Sequence, residues 1–380
     1  MKLDIEIAPG LDDVEAEQWD AMAGDDDPFA EYAFLHALEQ SGSVGESSGW
    51  QPVHVLARDG ERLVGALPLY AKSHSYGEYI FDWSWAGAAE RAGVSYYPKL
   101  VSMAPLTPAT GRRILRAPDV DPAEITQALL AGVSHVAQEI KASSVHLLFL
   151  TEEECGWVTA GGQLQPRLSS QFHWQNDGYA DFDDFLGRFR SSQRKQVRRE
   201  RRSAAASGVE VRVVEGADLT DDDVAALSNF YFDTCYKRGS GPYLTRRFFM
   251  ELKQTLAHRV VAVLGYRDGK AIAGTLNFEK GKHLYGRYWG CTEEVEFLHF
   301  ECCYYRLIER AIERKLQRFE AGAQGRHKLR RGLMPSPIHS AHFVAHPGLA
   351  DAVYDYLPRE AMEVRDDIAR MAMQGPFRRD

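Results

Sequence analysis

The chain has 380 residues, 44% of them apolar, which is enough length for about two domains of roughly 150 residues and enough apolar content to fill both cores. No apolar run reaches the roughly 18 residues of a membrane span, and the N-terminal MKLDIEIAPG lacks the charged and apolar regions of a secretion signal. Five cysteines (155, 235, 291, 302 and 303) form no C-x-x-C pair, which points to a reducing, cytoplasmic setting and away from disulfides or cysteine-held zinc.

The net charge of −9 hides an asymmetry, because residues 1–50 hold thirteen acids against one lysine and the remainder is net positive. Within that remainder RFRSSQRKQVRRERR (188–202) holds eight basic residues and one glutamate, and a second basic cluster follows at 326–331. The chain therefore offers two docking places for an anionic ligand.

Taken in chain order, the expected elements repeat. VLARDGERLVGALPL (55–69) and LGYRDGKAIAGTLNF (264–278) share Arg-Asp-Gly, four intervening residues and Gly-x-Leu at a constant offset of 209. Each reads as a β-hairpin whose Asp-Gly supplies the positive φ of a tight turn. An aromatic, strand-like stretch follows each hairpin, at 79–85 and 284–289, and then an amphipathic helix and a short strand. In the first copy Asp121 is the expected N-cap, with Pro122 at the first helical position and Glu124 at N3, and Ile125, Leu129, Val133 and Ile140 form the buried stripe ahead of the strand VHLLFL (145–150).

In the second copy Tyr304, Leu307, Ile308, Ala311, Ile312 and Leu316 form the stripe, and RFEAGA (318–323) is the strand. Between the copies, the stretch 161–166 is rich in Gly, Gln and Pro and marks a boundary between domains 1–165 and 166–380. The basic run at 191–206 lacks Gly and Pro and reads as a helix, with Arg194, Lys195 and Arg198 as candidates for binding phosphate or RNA. His339, His342 and His346 have no acidic companion and lie near Pro335 and Pro337, so no metal site is expected.

A duplicated hairpin-strand-helix-strand unit with a basic helix before its second copy resembles the tandem GNAT architecture of the FemAB-like peptidyltransferases. More narrowly, Gly-Pro-Tyr-Leu-Thr (241–245), Leu-Tyr-Gly-Arg-Tyr-Trp-Gly (284–290), Leu-His-Phe-Glu (298–301) and Phe-Glu-Ala-Gly-Ala-Gln-Gly (319–325) resemble a bacterial GNAT-like family labelled peptidoglycan biosynthesis/recognition. His327-Lys328 and Arg331-Gly332 extend the match. The resemblance implies an α/β fold of two tandem GNAT-like domains, mixed sheets with helices packed on them, the first domain degenerate. It also implies an enzyme that moves an activated acyl or aminoacyl group from acyl-CoA or aminoacyl-tRNA onto a small-molecule or peptide amine. Neither DNA nor a firmly bound cofactor is expected.

Two features depart from the pattern. The place where acetyl-CoA enzymes carry a glycine-rich pyrophosphate loop reads EVEFLHFE (294–301), without glycine, and no heptad repeat builds a coiled-coil arm for transfer RNA. An acetyl-CoA-dependent N-acetyltransferase with an atypical site, or a non-catalytic module recognising peptidoglycan precursors or RNA, are the alternative readings.

Acyl transfer to an amine needs a base, donors for the oxyanion and an acid for the leaving group. Glu320 is the first candidate base, on a strand whose alternation puts it on one side with Gly322 and Gln324. An ion pair of Glu320 with Arg318 or Arg287 is the competing structural reading. By resemblance, Lys328 takes the place of a family lysine and would hold a phosphate or the acceptor carboxylate, with Arg331 sharing that work. Tyr285, Arg287 and Tyr288 fall on the strand that parts from its neighbour in GNAT folds to admit the acyl group. His299 and His327 are candidate proton relays, and Glu301 at the start of the central helix serves either substrate or the helix dipole.

Overall fold

In the computed structural model, which describes residues 3–322 and 325–378, both Arg-Asp-Gly turns close antiparallel hairpins. The first joins His54–Asp59 to Arg62–Leu67 through Gly60 (φ 63°), and the second joins Val260–Arg267 to Lys270–Lys280 through Gly269 (φ 76°). Each has a register shift just before the turn, at Ala57/Arg58 and Gly265/Tyr266.

The chain forms two compact units, Met1–Ser170 with Pro337–Asp367 and Gln171–Ser336 with Ile368–Asp380. In the first, Asp4–Ala8, His54–Asp59, Arg62–Leu67 and Leu115–Arg116 form an antiparallel sheet. Pro68, which cannot donate to a ladder, interrupts the second hairpin strand. That strand resumes as Tyr70–Lys72, pairing with Trp50–Pro52 and Lys99–Ser102. Lys99–Ser102 lies parallel to Ser144–Leu150, which pairs in turn with residues 339–344 of the strand Met334–Val344.

In the second unit the order is Glu210–Glu215, Val260–Arg267, Lys270–Lys280, His283–Cys291, Arg318–Glu320 and then residues 173–175 of Gln165–Gln175. Among the described residues of this unit's order, His283–Cys291 and Arg318–Glu320 are the pair that runs parallel. Asn277 stands at the repeat position of Pro68. It keeps its N–H, and the strand continues with only a register shift between Leu276 and Asn277.

Helix formation follows the local signals. Asp121 accepts from the backbone N–H groups of Ala123 (2.9 Å) and Glu124 (3.0 Å), and Pro122–Glu139 buries Ile125, Leu129 and Val133 against Val55 and Leu147. In the second unit the helical run 298–313 packs Leu307, Ile308 and Ala311 with Trp174, Leu284 and Phe319. Among the described residues, no helix is long and apolar enough to cross a membrane.

Three expectations need correction. The 165/166 boundary falls inside Gln165–Gln175, and residues 337–367 return to the first unit because 339–344 hydrogen-bond to Ser144–Leu150 there. The stretch 79–85 is a loop leading into the helix Trp83–Arg91, since Asp82 is bonded to Lys99 and the backbone turns at Tyr79 (φ 62°). The last strand stops at Glu320, with Gly322 at φ 77°.

Gly290, the final glycine of the Leu-Tyr-Gly-Arg-Tyr-Trp-Gly run, lets the helix Asp221–Lys237 lie directly on the strand: a Cβ there would sit 2.2 Å from the Phe230 carbonyl oxygen. Backbone cannot rotate aside as a side chain can. Gly290→Ala should cost roughly 1–3 kcal/mol and lower the melting temperature by about 2–4 °C per kcal/mol, whereas Gly187→Ala, with nothing within 4 Å of its added Cβ, should stay within about 0.5 kcal/mol of the parent. Calorimetry on the two variants checks the contrast.

Candidate functional site

The parallel pair of the second unit begins together and then parts. His283, Leu284 and Tyr285 align with Arg318, Phe319 and Glu320, after which the first strand runs on to Cys291 while the second turns away. Ligands bind in α/β sheets where strand ends diverge in this way.

Beside this opening lies a cluster of rings. His299 stands edge-on to Trp289, with centroids 5.1 Å apart, and its ring lies 5.5 Å from Tyr304 and 5.9 Å from His327. The Tyr304 hydroxyl is 2.9 Å from Nε2 of His327. The helix that carries His299 and Tyr304 starts at Phe297 in the left-handed region (φ 62°) and contains a π-helical turn over Glu301–Tyr305. Such turns are uncommon and concentrate at functional sites.

Burial shifts both imidazoles toward the neutral form. The pKa of His299 is pushed down to about 4 by desolvation first, then by His327 and Arg331, and that of His327 is lowered by desolvation and by Arg331 and Lys328. His327 is exposed and His299 half-buried. Lys328 is buried, donates to the Gly322 carbonyl at 2.8 Å, and has its pKa lowered to about 8 by desolvation.

The expected base is placed differently. Glu320 is 2% exposed, with Oε1 at 3.1 Å from Nε of Arg318 and Oε2 at 3.7 Å from Nε2 of His173, whose own pKa burial pushes down to about 3. That is the ion-pair arrangement, and it ties the end of one strand to Gln165–Gln175. Gln324, expected on the same side, lies outside the described residues.

The other expected residues divide between two faces of the strand. Tyr288 packs edge-on against Tyr231 (4.9 Å) and receives a hydrogen bond from Arg287 (3.1 Å), so this pair lies toward the helix Asp221–Lys237 and not with the histidines. Tyr285 is buried, with its hydroxyl 3.4 Å from Nδ1 of His283. Tyr231 also accepts from the N–H groups of Tyr243 (2.9 Å) and Leu244 (3.1 Å), which makes Gly-Pro-Tyr-Leu-Thr a turn-holding motif.

Glu301 is bound by Arg201 (3.0 Å) and Arg306 (3.3 Å), so it joins the basic helix to the helix start. Arg331, expected to contact substrate, is 4% exposed and paired through Nη2 with both oxygens of Glu200 at 2.9 Å. It also donates to the His327 carbonyl (2.8 Å) and lies over the Phe300 ring at 3.3 Å. Tyr305 donates to the same Glu200 carboxylate.

A groove of about 990 Å³ lies along the basic helix Ser191–Ala205. Lys195, Arg198, Arg199, Arg201 and Arg202 line it with Phe182, and Arg194 does not. Arg198 pairs with Asp183 (2.9 Å) and Arg201 with Glu301 and Glu309, while Lys195, Arg199 and Arg202 carry no ion pair among the described residues.

Trp289, Tyr304, Tyr305 and Glu200 escaped the reading of the sequence. Glu200 left a signal, as the single acid in a basic run; Tyr304 was indistinguishable from its apolar neighbours because a π-helical turn leaves no mark in hydrophobic spacing.

A family model described as FemAB-like, peptidoglycan biosynthesis/recognition, matches residues 10–379. No curated protein matches the sequence. Among solved structures, FemX superposes with a TM-score of 0.56 at 11% identity, covering 93% of this chain and 100% of its own. A conserved protein of unknown function from Bacteroides thetaiotaomicron gives 0.53 at 12% identity, covering 89% and 99%. L-PGS from Bacillus licheniformis gives 0.51 at 9%, covering 88% and 98%. At such identities the likeness shows the fold alone.

Arg331→Met should destabilise the chain by roughly 3–5 kcal/mol, because it leaves the Glu200 carboxylate buried and unpaired. Adding Glu200→Leu should recover most of that loss. Urea denaturation of the single and double variants, read against the parent, measures both.

Proposed function

We propose that this chain, which belongs to the FemAB-like family, transfers an acyl or aminoacyl group from a polyanionic carrier to the amine of a cell-wall precursor in the cytoplasm. One observation carries the reading: the opening between the parting strands is flanked by two imidazoles in ring contact, His299 and His327, the second of them hydrogen-bonded to the Tyr304 hydroxyl.

The chemistry asked of these groups is modest. The acceptor amine is protonated at neutral pH and attacks only after losing its proton, and an exposed imidazole that is already neutral can take that proton. His327 is the reachable one. Acting as the base requires the tautomer in which Nε2–H donates to the Tyr304 hydroxyl and the lone pair of Nδ1 is free to take the proton. The amine nitrogen then bonds to the carbonyl carbon, the carrier's oxygen or sulfur departs with the bonding pair, and the second proton that the nitrogen sheds on becoming an amide neutralises it. Lys328, buried at the same strand end, supplies positive potential to the carbonyl and leaving-group charge.

The donor is better served by the basic groove than by a coenzyme A cradle. Residues 294–301 contain no glycine, and the helix they lead into starts without a side-chain cap. The groove offers Lys195, Arg199 and Arg202, three cations without ion pairs among the described residues, and an aromatic ring at Phe182. Aminoacyl-tRNA is the donor that this arrangement favours, and acyl-CoA is the competing choice.

The test is single-turnover transfer from mixed aminoacyl-tRNA, and separately from acetyl-CoA, to a nucleotide-linked muropeptide, followed by mass spectrometry. The parent should form an amide product from aminoacyl-tRNA, and His327→Ala should slow it by roughly 10²–10⁴-fold with little change in stability. Lys195→Glu with Arg199→Glu should weaken donor binding most at low salt. Absence of product from either donor, or an unchanged rate in His327→Ala, would overturn the reading.

A further inference from the structure

A loop in the first unit reverses the usual partition of residues. Between Lys72 and Trp85, the charged and polar Ser75, Glu78 and Asp82 are buried, while Tyr76 is 55% exposed and Phe81 and Trp83 are each 43% exposed. Burial of charge together with exposure of large rings is the informative departure from ordinary surfaces.

The inward side is fully engaged. Lys72 and Lys99 are register partners on adjacent strands, both buried. Lys99 donates to Ser75 (2.7 Å), to Glu78 (2.8 Å) and to Asp82, and Lys72 donates to the Tyr76 carbonyl (2.8 Å) while lying 3.4 Å from the centre of the Trp50 ring. Arg167, paired with Glu360, also holds the Phe81 carbonyl at 3.1 Å. The backbone is thus clamped from beneath.

Held this way, the rings make one surface. Tyr76 and Trp83 have centroids 5.1 Å apart, and Phe81 lies 6.4 Å from Trp83 with its plane tilted by only 20°. A preorganised set of this kind loses little entropy on binding.

Size and charge decide the occupant. An aromatic side chain buries about 150–250 Å², so three rings exposed by about half offer on the order of 300 Å², well under the roughly 800 Å² that each partner contributes to a stable protein interface. The exposed residues of the loop and its junction, Ser73, Tyr76, Phe81, Trp83 and Ser84, are all uncharged, and the chain is net negative, so the cationic face that draws amphipathic surfaces onto anionic membranes is missing here. A small, neutral partner with apolar faces and polar edges remains.

We propose that Tyr76, Phe81 and Trp83 form a platform for a short uncharged glycan, whose pyranose C–H faces stack on the rings while its hydroxyls reach the tyrosine O–H and tryptophan N–H. This site stands on the first unit alone and is independent of the transferase reading.

The test is calorimetric titration of the full chain with chitotriose and maltotriose. Binding of at least one is expected at a Kd of about 0.1–1 mM, weakened by at least about tenfold in Trp83→Ala and Phe81→Ala and unchanged in Tyr236→Ala, an exposed ring elsewhere. Melting temperatures equal to the parent's confirm that the variants fold. No heat from either sugar at about 10 mM, or binding indifferent to both platform variants, would overturn the proposal. So would Trp83-dependent adsorption to phosphatidylcholine vesicles or Trp83-dependent self-association without sugar binding.

Discussion

The buried pair of Glu200 and Arg331 is the constraint on which the geometry of the second unit depends. It joins three elements that sequence separates widely: the basic helix, the π-helical turn through Tyr305, and the short helical turn Arg326–Arg331 that carries His327 and Lys328. A charge pair 2–4% exposed gains little net stability over apolar groups of the same shape, because desolvation offsets most of the attraction. Its value is directional. The guanidinium holds the His327 carbonyl, and its charge lowers the pKa of the two imidazoles after burial has done most of that work.

Other charges in the second unit are paired as well. Glu301 and Glu320 are candidate site residues in the sequence, and each is held by an arginine, Arg201 and Arg318 respectively. The rings beside the strand opening, Trp289, His299, Tyr304 and His327, are aromatic. That suits a site where an ammonium must become an amine, since a neutral acceptor of the proton is needed there and a surplus of fixed charge would oppose the change.

Much of the fold was legible, because its signals are local. Asp-Gly turns, an N-cap followed by proline, and apolar spacing each act over a few residues, and the repeat at offset 209 exposed the tandem plan. Pro68 and Asn277 show how far one position reaches: the residue that cannot donate interrupts its strand, and the one that can lets it run on. What stayed hidden depends on residues far apart. Nothing near Glu200 says that its partner is Arg331, and Glu320 alone does not reveal whether it faces solvent or Arg318. The return of residues 337–367 to the first unit is equally non-local, since strand pairing at long separation leaves no pattern in composition.

The account rests on neutral histidines acting at the parting strands, and the pH dependence of single-turnover transfer tests this most directly. A base must be unprotonated, so the rate should fall as pH drops through its pKa, and burial has moved that value below the ordinary 6.5, to about 4 for His299 and in the same direction for His327. The predicted profile is flat down to about pH 6.5, with an acid limb below it that is lost, together with most of the rate, in His327→Ala. An acid limb centred above pH 6.5, or one that persists unchanged in that variant, would contradict the account.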